Sequence, residues 1–456
     1  MRTTIGLAIA ILAVFSVSCP GGGGDGPDAG TRRRDGAVSA DAAPAATAWE
    51  ISDVPECGNQ GQQPGYQTVA AASGTKVAFA TLAMTAATAP CTVAGRAGTT
   101  TPLYDICVVL PSATGFAGTI ATSQPYVDMM GVGLAFDKTG EPFLAYTGGP
   151  SGSQRCGASD MMLASVSGGT LGAALDIAAN SQSTGMPADQ QASCVQSVCN
   201  VGDATGYWPA VALDPASGHL AVAFRDLHFG VADTDLNGSD VEFALGDGYS
   251  VYTVDVARGG GSYIRLGFSP TGKAAVAQYN ANIIQPAIWL DRQTDQGWVS
   301  QQLFVGKIRE QIGFAVSSQG LYALAYCEDA RSVLSYSESS DGSTWTAAQD
   351  VDSDGLTGYY PSLAFDDSGN PAIAYYRCND YGADSGCDAD KDGLYLARRR
   401  AGVWSTQMIS GQSGIRDGQY PALAFAGGKA VIAFQSSYYD VVAGSSKMVL
   451  SVAKEP

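Results

Sequence analysis

Histidine is almost missing from this chain: His219 and His228 are the two among 456 residues. Cysteine is present ten times, yet never as a CxxC pair. A zinc centre draws on clustered His and Cys, so these two shortages argue against zinc. Charge is scarce as well, at 15% of residues, and lopsided: 25 basic against 43 acidic side chains, a formal net charge of -18. Nucleic-acid phosphates ask for a basic surface, so that class of partner is disfavoured. Cations, basic partners or plain solubility remain open. After residue 19 no apolar run is long enough to make a membrane-spanning helix. No G-x-S-x-G, P-loop or dinucleotide fingerprint stands in a usable context. Disorder is disfavoured in turn, because 45% of the residues are hydrophobic.

Glycine and repetition are what the chain has in plenty. There are 57 glycines, and one unit recurs at intervals of roughly 50 to 75 residues, a spacing that favours one closed array over several separate cores. Its clearest copy runs from Tyr359 to Ile409. Leu363 and Phe365, then Ala372, Ala374 and Tyr376, alternate like half-buried strands. The Asp366-Asp367-Ser368-Gly369-Asn370 turn joins them as a hairpin. Leu394–Arg398 and Trp404–Ile409 supply two more strands. The first two strands return at 209–224, 134–146 and 421–434, and in more worn form at 265–279, 313–326 and 68–80. Seven units of four antiparallel strands predict an all-β, seven-bladed β-propeller. Six or eight blades are the alternative parses if an early repeat is misdivided.

Closure can be read from the ends. The last repeat stops after a third strand at Met448–Val452, while a spare strand, Trp49–Val54, stands at the other end of the ordered sequence. Shared between them, one blade becomes complete and the ring has no open seam.

Residues 1–18 form an export signal: Arg2, then an apolar run from Ile5 to Phe15. Residues 19–46 read as a Gly-, Ala- and Asp-rich flexible spacer and 47–456 as the propeller. Ser16-Val17-Ser18-Cys19 resembles the processing site of a bacterial lipoprotein. The resemblance implies lipidation of Cys19, a membrane association through that lipid alone, and a place in the bacterial cell envelope. Cleavage by ordinary signal peptidase, giving a secreted protein, is the alternative. Beyond Cys19 an odd number of cysteines remains, and Cys327 lies inside a strand, so it is expected to be buried and unpaired. Cys378–Cys387 and Cys194–Cys199 each close one local loop and are expected disulfides. Cys91–Cys107 and Cys57–Cys156 then follow by elimination.

The hairpin turns inside each repeat are short. The loops from second to third strand and between blades are long and chemically loaded: 81–102, 147–159, 179–207, 225–239 and 377–392. Three segments carry D-x-D-x-[DN]-G: Asp233, Asp235 and Asn237; Asp350, Asp352 and Asp354; Asp388, Asp390 and Asp392. Alternate oxygen donors at this spacing can converge on calcium, with Asp240 added to the first set. Exposed acidic turns that bind nothing are the competing reading. These segments resemble the calcium loops of integrin α-chain propellers, although the FG-GAP sequence is absent. None has a Glu at the twelfth position of an EF-hand.

Ser339-Ser340-Asp341-Gly342-Ser343-Thr344-Trp345 resembles the Asp box of sialidase-type propellers, one residue short. In that family the box is a turn between third and fourth strands, so the resemblance implies fold and not activity. A sialidase needs three arginines, and a third at a position matching Arg225 and Arg377 is missing. Arg225 and Arg377, with Asp226, Glu328, Asp329 and Tyr381, are the candidate ligand contacts on the long-loop face. For the two arginines, loop ion pairs with Asp226 and Asp380 are the preferred alternative. Tyr360 and Tyr420, matched by Trp208, are expected to pack. The expected function is a monomeric, calcium-stabilised surface module that binds a protein or glycan. The alternative is a glycan-acting hydrolase using Asp226, Glu328 or Asp329.

Overall fold

The computed structural model describes residues 48–59, 61–90, 100–127, 131–148, 159–179, 204–227, 239–246, 248–255, 260–281, 285–354, 356–377, 392–411, 416–440 and 445–456. These form seven antiparallel sheets, taken here as blades one to seven.

Blade one is Gln63–Ser73, Lys76–Pro90, Thr100–Ser112 and Gly115–Val127. Blade two is Gly133–Phe136, Pro142–Gly148, Asp160–Ser167 and Leu175–Ala178, with the short bridge Thr170–Leu171. Blade three is Ala204–Leu213, Leu220–Leu227, Ser239–Leu245 and Ser250–Asp255. Blade four is Ser262–Phe268, Ala274–Asn280, Ala287–Thr294 and Gly297–Val305. Blade five is Ile308–Val316, Tyr322–Glu328, Val333–Ser339 and Gln349–Asp352. Blade six is Tyr359–Phe365, Pro371–Arg377, Gly393–Arg400 and Val403–Ser410. Blade seven is Arg416–Ala426, Lys429–Asp440, Ser445–Lys454 and, from the other end, Glu50–Asp53. The closing strand runs antiparallel to Ser445–Lys454, with Ile51 opposite Ala453. Both the blade count and the shared final blade agree with the repeat reading.

Burial explains why the repeats look as they do. Second strands lie between neighbouring blades, so both faces are covered: Pro371–Arg377 is buried throughout. Such a strand reads as a continuous apolar run, not an alternating one. Fourth strands sit on the outer wall, and Val403–Ser410 is mostly exposed. The apolar core is divided into clusters between consecutive blades. One joins blades one and seven through Val77, Phe79, Ala433 and Val452. Another joins blades five and six through Tyr336, Ile373 and Tyr375. Each blade is thus a wedge whose faces are buried only by its neighbours, and the ring must close to bury them all.

Three of the first-to-second hairpins, in blades two, three and six, are held by one device. Asp366 Oδ1 accepts hydrogen bonds from the amides of Ser368 at 2.9 Å and Asn370 at 2.8 Å. Asp137 does the same for Thr139 and Glu141. These are Asx turns, in which a short carboxylate replaces a backbone acceptor.

Several expectations need correction. The segment 81–102 is not a free loop. Lys76–Pro90 and Thr100–Ser112 extend well into it and pair antiparallel as far as Pro90 and Thr100. Cys57 pairs with Cys107, not Cys156, and so Cys107 does not pair with Cys91. Cys57 follows the closing strand in a short 3-10 turn, Pro55–Gly58, which brings it onto the outer part of blade one. Gly118 makes the room: a Cβ there would lie 2.6 Å from the Cys57 Sγ. Elimination failed because it ranked proximity along the chain, whereas closure brings residue 57 to a blade it does not belong to. Cys327 is buried and forms no disulfide among the described residues, as expected. Cys19, Cys91, Cys156 and the pairs Cys378–Cys387 and Cys194–Cys199 lie outside the described residues.

Candidate functional site

Inner strands begin, and second strands end, on the long-loop face. Six of the seven blades repeat one irregularity at the start of the inner strand. A non-glycine residue takes a left-handed conformation there: Gln67, Trp208, Tyr263, Gln311, Tyr360 and Tyr420, with φ between 48° and 56°. Each lies within a register shift of the first ladder, for example between Tyr359 and Ser362 or between Tyr207 and Ala210. A bulge of this kind re-aims a side chain that would otherwise face a neighbouring blade. Here it turns the six side chains inward. In five of these blades a glycine two residues earlier also has positive φ, and a Cβ would collide with the preceding blade. At Gly418 it would lie 2.6 Å from Leu394 Cα, and at Gly358 2.8 Å from Leu334 Cα. Gly-x-[Gln, Trp, Tyr] before each inner strand was a readable signal that periodicity analysis passed over.

The inward side chains fill the axis. Gln311 Nε2 donates to Gln67 Oε1 at 2.5 Å. Blades five and one are not neighbours, so this bond crosses the ring. Tyr360 and Tyr420 rings lie 4.1 Å apart and Trp208 and Tyr263 4.6 Å apart. Tyr359, Tyr360, Tyr376, Tyr420 and the partly buried Tyr66 make one aromatic cluster. Tyr360 and Tyr420 therefore pack, as expected, but against one another across a blade boundary at the axis. Burial, then the neighbouring Tyr420 and Glu310, hold the Tyr360 hydroxyl well above the usual phenol range. Burial pushes the Glu310 carboxyl up to about 7, against a hydrogen bond from Tyr360 that lowers it.

Charged groups surround this cluster on blades five and six. Arg309 Nε pairs with Asp329 Oδ1 at 2.8 Å, and its Nη1 donates to the Tyr359 hydroxyl. Arg331 bridges Glu328 at 2.7 Å and Asp350, whose two oxygens it reaches at 2.9 and 3.0 Å. Arg377 pairs with Asp354 at 2.7 Å and lies over the Tyr395 ring. The Tyr375 hydroxyl donates to Asp352 at 2.6 Å.

These contacts place the expected residues. Glu328, Asp329 and Arg377 do come to one face, each with an oppositely charged partner. The second D-x-D-x-[DN]-G segment is not a loop at its start. Asp350 and Asp352 belong to a fourth strand, and the three carboxylates go separately to Arg331, Tyr375 and Arg377. Arg225 does not pair with Asp226, since consecutive strand residues point to opposite faces. Its Nη1 and Nη2 donate instead to Ser262 at 3.4 Å and Ser239 at 3.2 Å. Burial brings the Arg225 guanidinium down to about 10.

Asp226, Asp240 and Glu242 are buried together in blade three, with Asp226 opposite Asp240 in register. Burial, with the nearby Asp226 and Asp240, holds the Glu242 carboxyl well above its ordinary range. Asp392 is buried at the entry to the third strand of blade six. Among the described residues no group of three or more His, Cys, Asp or Glu side chains is arranged to hold a metal ion. Asp233, Asp235, Asn237, Asp388, Asp390 and Tyr381 lie outside the described residues.

The Asp-box segment is a turn between third and fourth strands, on the opposite face. Asp341 Oδ1 accepts from the amides of Ser343 and Thr344, both at 2.7 Å, and the Trp345 indole donates to Gly342 O at 3.3 Å. Those amide bonds bring the Asp341 carboxyl down to about 2.

No family model matches the sequence. No curated protein matches it either. Among solved structures the chain is similar to a Hadza microbial sialidase, at 12% identity and a TM-score of 0.44, over 78% of this chain and 73% of that one. It is similar to puromycin hydrolase at 14% identity and a TM-score of 0.45, over 88% of this chain but 55% of that one. A third is the α-L-arabinofuranosidase Arb93A from Fusarium graminearum, at 10% identity and a TM-score of 0.36, over 53% of this chain and 79% of that one. Each likeness is slight, and the seven-bladed architecture rests on the strand pairing itself.

Proposed function

We propose that this protein is a binding module, tethered through Cys19 to a bacterial envelope membrane, that holds a glycan or protein on its long-loop face. The observation that carries this reading is the filled axis. Side chains from non-adjacent blades touch across it, and the nearby acids Glu328, Asp329, Asp350 and Asp354 are each drawn into an arginine pair. Carboxylates held that way are poorly placed for proton transfer, whereas a partly exposed guanidinium such as Arg309 suits hydrogen bonding to sugars or peptides. Calcium bound at residues 233–240 and 388–392 would order the loops around this face.

The test is a glycan array and calorimetry on the mature chain, with calcium and with a chelator. Saturable binding that weakens on Arg309→Ala supports the reading. Catalytic turnover of a glycan, lost on Glu310→Gln, overturns it in favour of the second reading, a glycan hydrolase. One observation favours that alternative: burial pushes the Glu310 carboxyl, beside Tyr360, up to about 7, the range that suits a general acid.

A further inference from the structure

Blade two is the exception to the axial pattern. At the position matched by Tyr360 and Trp208 it has Gly131, with φ +84° and no side chain. The gap this leaves is a small cavity lined by Gln67, Thr68, Gly131, Trp208, Pro209 and Arg265, with about 10 Å³ open to the centre of a water-sized sphere. That is room for a single water-sized occupant.

Arg265 is the unusual member. At the matching inner-edge position the other six blades have Val69, Gly133, Ala210, Gly313, Ser362 and Ala422, all uncharged and most of them small, because adjacent inner strands approach closely there. A Cβ on Gly133 would lie 3.0 Å from Pro209 O. The Arg265 side chain escapes this crowding by turning into the axis. It donates to Ile264 O at 3.0 Å and to Gln311 Oε1 at 3.5 Å, which uses two of the five donors a guanidinium has. No carboxylate lines the cavity.

The direction of the hydrogen bonds then decides what fits. Arg265 donates to the Gln311 oxygen, and Gln311 Nε2 donates to the Gln67 oxygen. The chain ends on the Gln67 amide nitrogen, a donor. At the cavity, both the guanidinium and this amide therefore offer N–H groups and a net positive charge. An acceptor completes such a set, and a cation would be repelled. The protein's overall negative charge opposes an anion only weakly, since exposed charges are screened over roughly 8 Å at physiological salt. Burial also brings the Arg265 guanidinium down to about 10, which is the cost a bound anion would relieve.

We propose that the propeller axis holds one monatomic anion, a halide, between Arg265 and Gln67. This site lies in the axis at the start of the inner strands and uses none of the acidic residues of the expected calcium loops.

The probe is sodium bromide. Crystals soaked in bromide are expected to show an anomalous peak within hydrogen-bonding distance of Arg265 and Gln67. In solution, replacing gluconate by bromide at constant ionic strength is expected to raise the Tm saturably. Arg265→Met should abolish that rise, and Gln67→Met, which keeps the guanidinium, should raise the half-saturating concentration tenfold or more. If Arg265→Met fails to fold, Gln67→Met and the anomalous map decide. No peak in the cavity, or an unchanged bromide response in Gln67→Met, overturns the proposal.

Discussion

The hydroxyl of Ser451 donates to a carboxylate oxygen of Asp53 at 2.7 Å, although 398 positions separate them along the chain. The bond lies on the seam where the two ends of the propeller share a blade. Ile51 and Trp49 pack there against the cluster built on Leu396, Ile432 and Ala453.

Deleting residues 49–54 should therefore lower the Tm by ten degrees or more. The loss would expose the unpaired edge of Ser445–Lys454 and uncover apolar surface of blades six and seven. Differential scanning calorimetry checks this, and an unchanged transition would show that the closing strand contributes nothing.

The Cys57–Cys107 disulfide pins the same seam to blade one. Closing a loop of 50 residues is expected to stabilise by about 4 kcal/mol on the chain-entropy model. The Cys57→Ala, Cys107→Ala double variant should lose stability of that order in urea unfolding. Cys327, buried with its thiol 3.0 Å from Thr357 O, should stay unreactive toward a thiol reagent until the chain unfolds.

Stability should fall as pH rises through neutrality. Asp291 is buried in blade four, where Gln278 Nε2 donates to it at 3.0 Å and to Asp255 at 2.7 Å. Burial, then the charge of Asp255, pushes the Asp291 carboxyl up to about 8. An acid whose folded value is raised binds its proton more tightly in the folded state. Its contribution is complete below about pH 4, where the unfolded carboxyl also holds its proton. It is then lost progressively up to about pH 8. Asp291→Asn should flatten the Tm between pH 5 and pH 9. An equally steep profile in that variant would assign the effect elsewhere.

Gly358 has φ +85° and its missing Cβ would lie 2.8 Å from Leu334 Cα in the preceding blade. Gly358→Ala should destabilise by roughly 2 to 3 kcal/mol, the range for overpacking plus left-handed strain. Gly402, also at positive φ but with nothing within 4 Å, should lose about 1 kcal/mol or less on the same change. Chemical denaturation of the two variants measures the difference.

Much of the fold was legible because it is periodic. Short turns such as 366–370 and apolar runs such as 371–377 report a local choice between strand and turn, and seven repetitions make the choice plain. The closing strand could be inferred because a missing strand and a spare one are both visible in the sequence. The site was less legible. Arg225 and Arg377 were picked out at the ends of second strands, but their partners, Ser239 and Ser262 for one and Asp354 for the other, belong to other strands or adjoining segments.

The sequence by itself determined the repeat, the all-β class and the shared final blade, since each depends on hydrogen bonding and burial between neighbours in a regular pattern. Only the tertiary structure decided the Cys57–Cys107 pair, the engagement of Asp350, Asp352 and Asp354, and the meeting of Gln67 with Gln311. Those contacts join residues brought together by ring closure and blade-to-blade packing, which no local pattern encodes.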